Sequence, residues 1–134
     1  LPLHKFPILK TCRYVGSTPD LYTWNDMNEP SVFNGPEVSM HRDNLHMDPA
    51  GQFGVEHRDI HNVYGFYFHM ATVQGHLHRA PSQRPFVLTR AFFAGTHRLG
   101  PIWTGDNMAK WDHLDKVRSH CITFRRKPPL SRSK

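Results

Sequence analysis

The sequence predicts an α/β fold with a parallel sheet, and two observations carry that expectation. Short apolar, β-rich runs alternate with helical periods in the order strand, long loop, helix, strand, loop, strand, helix, and polar residues follow each run directly.

Each element has its own warrant. Leu21–Trp24 is a short aromatic and β-branched run that reads as a buried strand ending at polar Asn25 and Asp26. Residues 27–56 are rich in Pro and Gly and lack any period, which marks an active-site or binding loop, or disorder. Ile60, Val63, Tyr64, Tyr67, Phe68 and Ala71 then share one helical face. They predict a helix over Asp59–Gln74, closed by Gly75 and Pro81, in which Gly65 costs about 1 kcal/mol of propensity. Pro85–Thr89 reads as a second buried strand, residues 90–100 as a Gly-containing loop, and Pro101–Thr104 as a third strand. A second helix is expected over Met108–His120, with Trp111, Leu114 and Val117 as its stripe.

With 134 residues and 38% apolar content, the chain has room for one modest core. The expected organisation is an irregular segment over residues 1–20, one domain over 21–118 and a basic, disordered tail over 119–134. The formal charge of +6 would ordinarily suggest nucleic acid or an anionic membrane as partner. Its distribution argues against both, because Arg125, Arg126, Lys127, Arg132 and Lys134 face no acidic residue after Ser119, leaving +1 on residues 1–118. No apolar run approaches the roughly 18 residues of a membrane span, and Leu1 opens no signal-peptide pattern, so the chain is expected to be an internal piece. Cys12 and Cys121 lack metal-ligand spacing and fit either redox compartment.

The chemistry-bearing residues are two aspartates. Asp26 ends W-N-D after the first strand and Asp106 ends W-T-G-D after the third. A carboxylate beside an indole at a strand's carboxyl end suits a sugar, because the ring packs on the apolar pyranose face while the carboxylate works at the glycosidic bond. An Asp after a strand also commonly caps a helix or turn, and the paired tryptophans favour the sugar reading.

Around these aspartates, W-N-D-M-N-E-P-S-V-F-N-G-P-E (Trp24–Glu37) resembles the nucleophile region of glycoside hydrolase family 31, the retaining α-glucosidases, and is most similar to the family's neutral branch. Further matches follow in the family's order: E-H-R-D-I-H-N at Glu56–Asn62, R-P-F-V-L-T-R-A-F-F-A-G at Arg84–Gly95, W-T-G-D-N at Trp103–Asn107 and W-D-H-L at Trp111–Leu114. Together they cover Asp20–Leu114.

The resemblance implies a partial (β/α)8 TIM barrel, about three central βα units equivalent to strands four to six, with long active-site loops. It further implies that Asp26 is the nucleophile, Asp106 the general acid/base and Arg90 a sugar-binding arginine. Trp24, Met27 and Trp103 would line the cleavage subsite, with Glu29 supporting. In the double displacement, Asp106 protonates the leaving oxygen as Asp26 attacks the anomeric carbon, and Asp106 then activates water; retention wants the carboxyls about 5–5.5 Å apart. The neutral branch implies an α-glucoside substrate, α-1,3-linked glucose on immature N-glycans, in the endoplasmic reticulum lumen. It also implies a lectin-like β subunit as partner, no metal or organic cofactor, and no nucleic-acid or membrane partner. Hydrolysis of starch, maltose or glycogen would use the same one-glucose subsite.

The chain departs from the family pattern in places. Thr23 replaces an aliphatic strand residue, Val55 replaces a Trp, and the loop Met40–Val55 is longer than in relatives. After Leu114 the family's next strand and its G-A-D-x-G-G-F segment give way to the basic tail, where only Cys121 has a counterpart. A whole barrel takes roughly 250 residues, so this piece is expected to be unstable or to aggregate alone, as a truncated gene model, read-through product or cloned fragment would.

Other readings stay in view. His57 with His61, and His76 with His78, invite a metal, but no third convergent ligand is evident in the sequence. The tail could make the chain a basic binding module, lost on deleting Phe124–Lys134. A non-catalytic sugar-binding fragment or pseudoenzyme would keep Trp24 and Trp103 and bind glucose without turnover.

Overall fold

The computed structural model describes residues 15–18, 20–48 and 50–123, the last six by backbone alone. Most of the expected irregular segment and the tail from residue 124 lie outside the described residues. The chain divides into two compact units, one ending at Trp103 and one starting at Thr104.

The first unit is built on a βαβ crossover. Strand β1 (Thr23–Asn25) pairs in parallel with β4 (Val87–Thr89), with Thr23 opposite Val87 and Asn25 opposite Thr89. Between them run the short strands β2 (Leu45–Met47) and β3 (Gly54–Glu56) and the 23-residue helix α1 (His57–Arg79). Parallel strands need such a crossover, so the α/β expectation holds. The first strand is shifted from Leu21–Trp24 and is not buried as expected: Asn25 alone in it is buried, while Trp24 is 64% exposed. The expected third strand shrinks to one parallel bridge, Thr89 to Ile102. Thr89 N–H reaches the Pro101 carbonyl at 3.2 Å and Trp103 N–H reaches the Thr89 carbonyl at 3.3 Å. Pro101 has no N–H to offer a ladder, and Gly105, at φ 92°, then turns the chain.

Residues 27–56 are not a structureless loop. Leu45 opposes Glu56 and Met47 opposes Gly54 in an antiparallel hairpin. Asp48 closes its turn: its Oδ1 accepts the Gln52 N–H at 2.7 Å and the Phe53 N–H at 3.2 Å. An Asp that bonds backbone donors a few residues on is a turn former, and strands of three residues are too short to show alternation.

Helix α1 is longer than expected and packs by a different face. It passes through Gly75 and ends at Arg79, with Ala80 as a non-helical cap whose N–H meets the His76 carbonyl, just before Pro81. The buried positions are His57, Gly65, His69 and Val73, whereas Tyr67 and Phe68 of the expected apolar face stay largely exposed. Gly65 explains the rotation. A Cβ there would lie 2.4 Å from the Ala91 Cβ and 3.0 Å from the Asn28 carbonyl oxygen, so the helix backbone seats directly on the two loops that leave β1 and β4. What looked like a propensity cost is the contact that sets the helix's depth. Polar pairs complete the seam: Asn25 Nδ2 donates to Thr72 Oγ1 at 3.0 Å, and Thr23 Oγ1 lies 2.7 Å from His76 Nε2. Thr23 therefore has a hydrogen-bonding partner. Among the described residues Val73 and Val87 are the only buried apolar side chains, so hydrogen bonds do much of the fastening.

In the second unit, helix α2 (Trp111–Thr123) starts later than the expected Met108 and carries Trp111 and Leu114 exposed. Among the described residues no helix is long and apolar enough to cross a membrane.

Candidate active site

The carboxyl ends of β1 and β4 meet in one cluster. Asp26 is the first residue past β1 and Arg90 the first past β4, and the Arg90 N–H donates to the Asn25 carbonyl at 3.1 Å, extending the parallel pairing to the cluster's edge. Side chains that leave neighbouring parallel strands at the same end converge, which is why this edge collects function in α/β folds.

Arg90 is the centre of the cluster. Its Nη1 lies 2.9 Å from Asp26 Oδ1. Its Nε and Nη2 face Glu29 Oε1 and Oε2 at 2.7 and 3.2 Å, a two-pronged grip that matches the planar guanidinium to the carboxylate. Ser31 joins the same carboxylate, its hydroxyl donating to Glu29 Oε2 at 2.6 Å. Burial pushes the Glu29 carboxyl up, but hydrogen bonds from Arg90 and Ser31, with the Arg90 charge, outweigh it and hold the group below its ordinary 4.5. Glu29 is therefore an anion that holds the Arg90 guanidinium aimed at Asp26.

Asp26 is fixed from a second direction. The Met27 N–H donates to Asp26 Oδ1 at 2.8 Å, and Met27 sits at φ 55°, a left-handed conformation uncommon for a side chain of its size. That turn lets the loop double back so that Ser31 N–H meets the Met27 carbonyl at 3.1 Å.

Residues that sequence reasoning did not select hold the loop down. Asn28 is buried; its Nδ2 donates to Thr89 Oγ1 at 2.8 Å and its Oδ1 accepts the Ala91 N–H at 3.1 Å. The Thr89 hydroxyl in turn donates to the Ala91 carbonyl at 2.9 Å. The signal was present in W-N-D-M-N-E, where a second Asn follows the aspartate by two residues.

Trp24 and Trp103 stand edge to face, centroids 5.6 Å apart at 61°. Trp24, Asp26, Met27, Glu29, Arg90 and Trp103 thus belong to the first unit, and the structure ties Asp26, Met27, Glu29 and Arg90 into one bonded network. Asp106 belongs to the second unit. It is exposed in a turn closed by Asn107, whose Nδ2 donates to Thr104 Oγ1 at 2.6 Å. A cavity of about 320 Å³ lies elsewhere, at the opposite ends of β1 and β4, between Tyr22, His76, Arg79 and Phe86. Among the described residues no group of three His, Cys, Asp or Glu side chains converges to hold a metal ion.

Residues 17–126 match the TIM-barrel domain of glycosyl hydrolases family 31. The chain belongs to this family. It is 67% identical over 102 residues to a probable glucan 1,3-alpha-glucosidase of Arabidopsis thaliana, covering 75% of this chain and 10% of that protein. Identity to human neutral alpha-glucosidase AB is 61% over 112 residues, covering 83% and 11%. The crystal structure of a glucosidase II alpha subunit, Tris-bound, superposes with a TM-score of 0.61 at 54% identity, over 74% of this chain and 10% of that one. A family 31 alpha-glucosidase from Bacteroides thetaiotaomicron gives 0.52 at 40% identity, over 69% and 13%. The chain spans about a tenth of the length of the curated relatives it matches.

Proposed function

We propose that this family 31 segment supplies the catalytic centre of a retaining α-glucosidase, within a barrel to which residues 21–118 contribute the fourth to sixth βα units. Asp26 is the nucleophile, attacking the anomeric carbon while Asp106 protonates the departing oxygen; Asp106 then takes a proton from water, which releases the glucose. Arg90 binds the sugar and orients Asp26. Trp24, Met27 and Trp103 line the subsite, and Glu29 acts through Arg90. No metal or organic cofactor takes part.

The substrate is terminal α-linked glucose, and the relatives' names favour the 1,3 linkage. On this reading the parent enzyme trims immature N-glycans in the endoplasmic reticulum lumen and pairs with a lectin-like β subunit. The observation that carries the proposal is the carboxylate of Asp26 held by Arg90, itself gripped by Glu29, at the carboxyl end of a parallel strand. Such fixing positions the nucleophile without reorganisation at the moment of attack.

Mechanism-based labelling tests it. A fluoroglucoside that traps the glycosyl-enzyme should place one label on the Asp26 peptide, and the intact mass would show which species is catalytic. A label on another carboxylate, or glucose binding with no label at all, would remove Asp26 from the role.

A further inference from the structure

We propose that the imidazoles of His46, His57 and His61 form a proton-operated latch that fastens the β2–β3 hairpin to the start of α1. His46 Nε2 lies 3.0 Å from His57 Nδ1, and His57 Nε2 lies 2.7 Å from His61 Nδ1. The three rings therefore form an unbroken hydrogen-bonded chain from β2 into the second turn of the helix. Tyr64 packs on two of the three rings, 5.6 Å from His46 and 5.5 Å from His57. The backbone runs alongside: His57 N–H meets the Asn44 carbonyl at 2.8 Å and Arg58 N–H the Arg42 carbonyl at 3.0 Å. The hairpin lies in the connection between the Asp26 loop and α1, and the latch stands whatever reaction that loop performs.

Proton counting makes the chain a switch. Each neutral imidazole has one N–H and one bare nitrogen, so three linked rings need one direction of donation throughout. With His46 donating to His57 and His57 to His61, or the reverse, both bonds are made. One added proton is accommodated at the bare nitrogen of the donating end. A second has no such place: it sets two N–H groups face to face across one of the short contacts and puts two like charges side by side.

Nearby charges do not relieve this. On the loop entering β2, His41 lies 3.5 Å from Asp43, and Arg42 pairs with Glu37 at 3.0 Å. Arg58, on the first turn of α1, pairs with Asp43 and, at 2.6 Å, with Glu56 at the end of β3. Asp59 follows on the same turn. Among the described residues no carboxylate pairs with any of the three rings. His57 itself is 1% exposed; burial, then the charges of His61 and His46, push its proton affinity below the ordinary 6.5. The sign follows: the opened form binds more protons than the latched form, so latching is complete above about pH 6.5 and weakens as pH falls below it.

Hydrogen exchange on the whole enzyme that carries this segment, corrected for the intrinsic pH dependence of exchange, reads the latch directly. Between about pH 7.5 and pH 5.5, the hairpin amides and that of His57 should lose protection by up to about tenfold per pH unit for each proton taken up. Amides at the centre of α1, residues 66–73, should keep theirs. His46→Gln and His61→Asn, made separately, should each flatten the pH dependence of the hairpin. Hairpin protection that stays constant over this range, a pH dependence unchanged in both variants, or equal loss across α1 would overturn the proposal.

Discussion

The two tryptophan-aspartate segments share a sequence logic and differ in how their carboxylates are held. Asp26 is gripped through Oδ1 by Arg90 and by the Met27 N–H, and its loop is riveted by buried Asn28 to the loop after β4. Asp106 stands exposed in a turn that Asn107 closes on Thr104 and Gly105, with Gly105 at φ 92°. The contrast fits the two tasks proposed for these aspartates. A nucleophile works best when held rigid and ionised before the substrate arrives, whereas a proton donor that later becomes a base exchanges protons with leaving group and water.

Breaking either member should separate the two roles. In the active enzyme, Asp26→Asn should abolish both labelling and hydrolysis, on the order of 10^4-fold or more in kcat, as loss of a nucleophile does elsewhere. Asp106→Asn should cost roughly 10^2- to 10^4-fold on poor leaving groups and far less on activated aryl glucosides, with trapping of Asp26 retained. Rates on a leaving-group series, combined with label stoichiometry, check both; equal losses on all substrates would collapse the distinction.

A finer cut addresses Arg90. Glu29→Gln keeps the shape and removes the charge, and should lower kcat/KM by roughly 10- to 100-fold, the worth of a charge-assisted bond. Because Glu29 ionises below 4.5 in the folded protein, its contribution is present above that value and fades as pH falls through the lowered one. The variant should therefore lose that acid-side dependence, and a pH profile identical to the parent's would assign Glu29 to structure alone. The smallest effect concerns the scaffold: Asn28→Ala leaves the Ala91 N–H without its acceptor, removes the donor to Thr89 Oγ1 and should destabilise by about 1–3 kcal/mol, measured by denaturant unfolding.

The sequence made some of this legible and hid the rest for definite reasons. The α/β class and the existence of both helices follow from period and motif. The packing face of α1 does not, because period analysis assumes that apolar residues go inside. Here the inside holds glycine, histidine and a single valine, since the facing strand presents Asn25 and Thr23. The hairpin escaped because its register is fixed by the Asp48 turn and the histidine chain rather than by alternation. The Arg90–Glu29 pair spans 61 positions, a separation at which spacing carries no geometric information.

Thr89 gathers more of the chain than its size suggests. Its hydroxyl joins Asn28 to the Ala91 carbonyl, while its backbone pairs with Asn25, Pro101 and Trp103. During synthesis, then, the loop bearing Asp26 leaves the ribosome long before its anchor exists. Asn28 and Ala91 are 63 residues apart, an interval of about 3–13 s at ordinary elongation rates. For that time the exposed Trp24 and Met27 travel with a half-made seam, an interval in which a chaperone that shields nascent apolar segments has room to act.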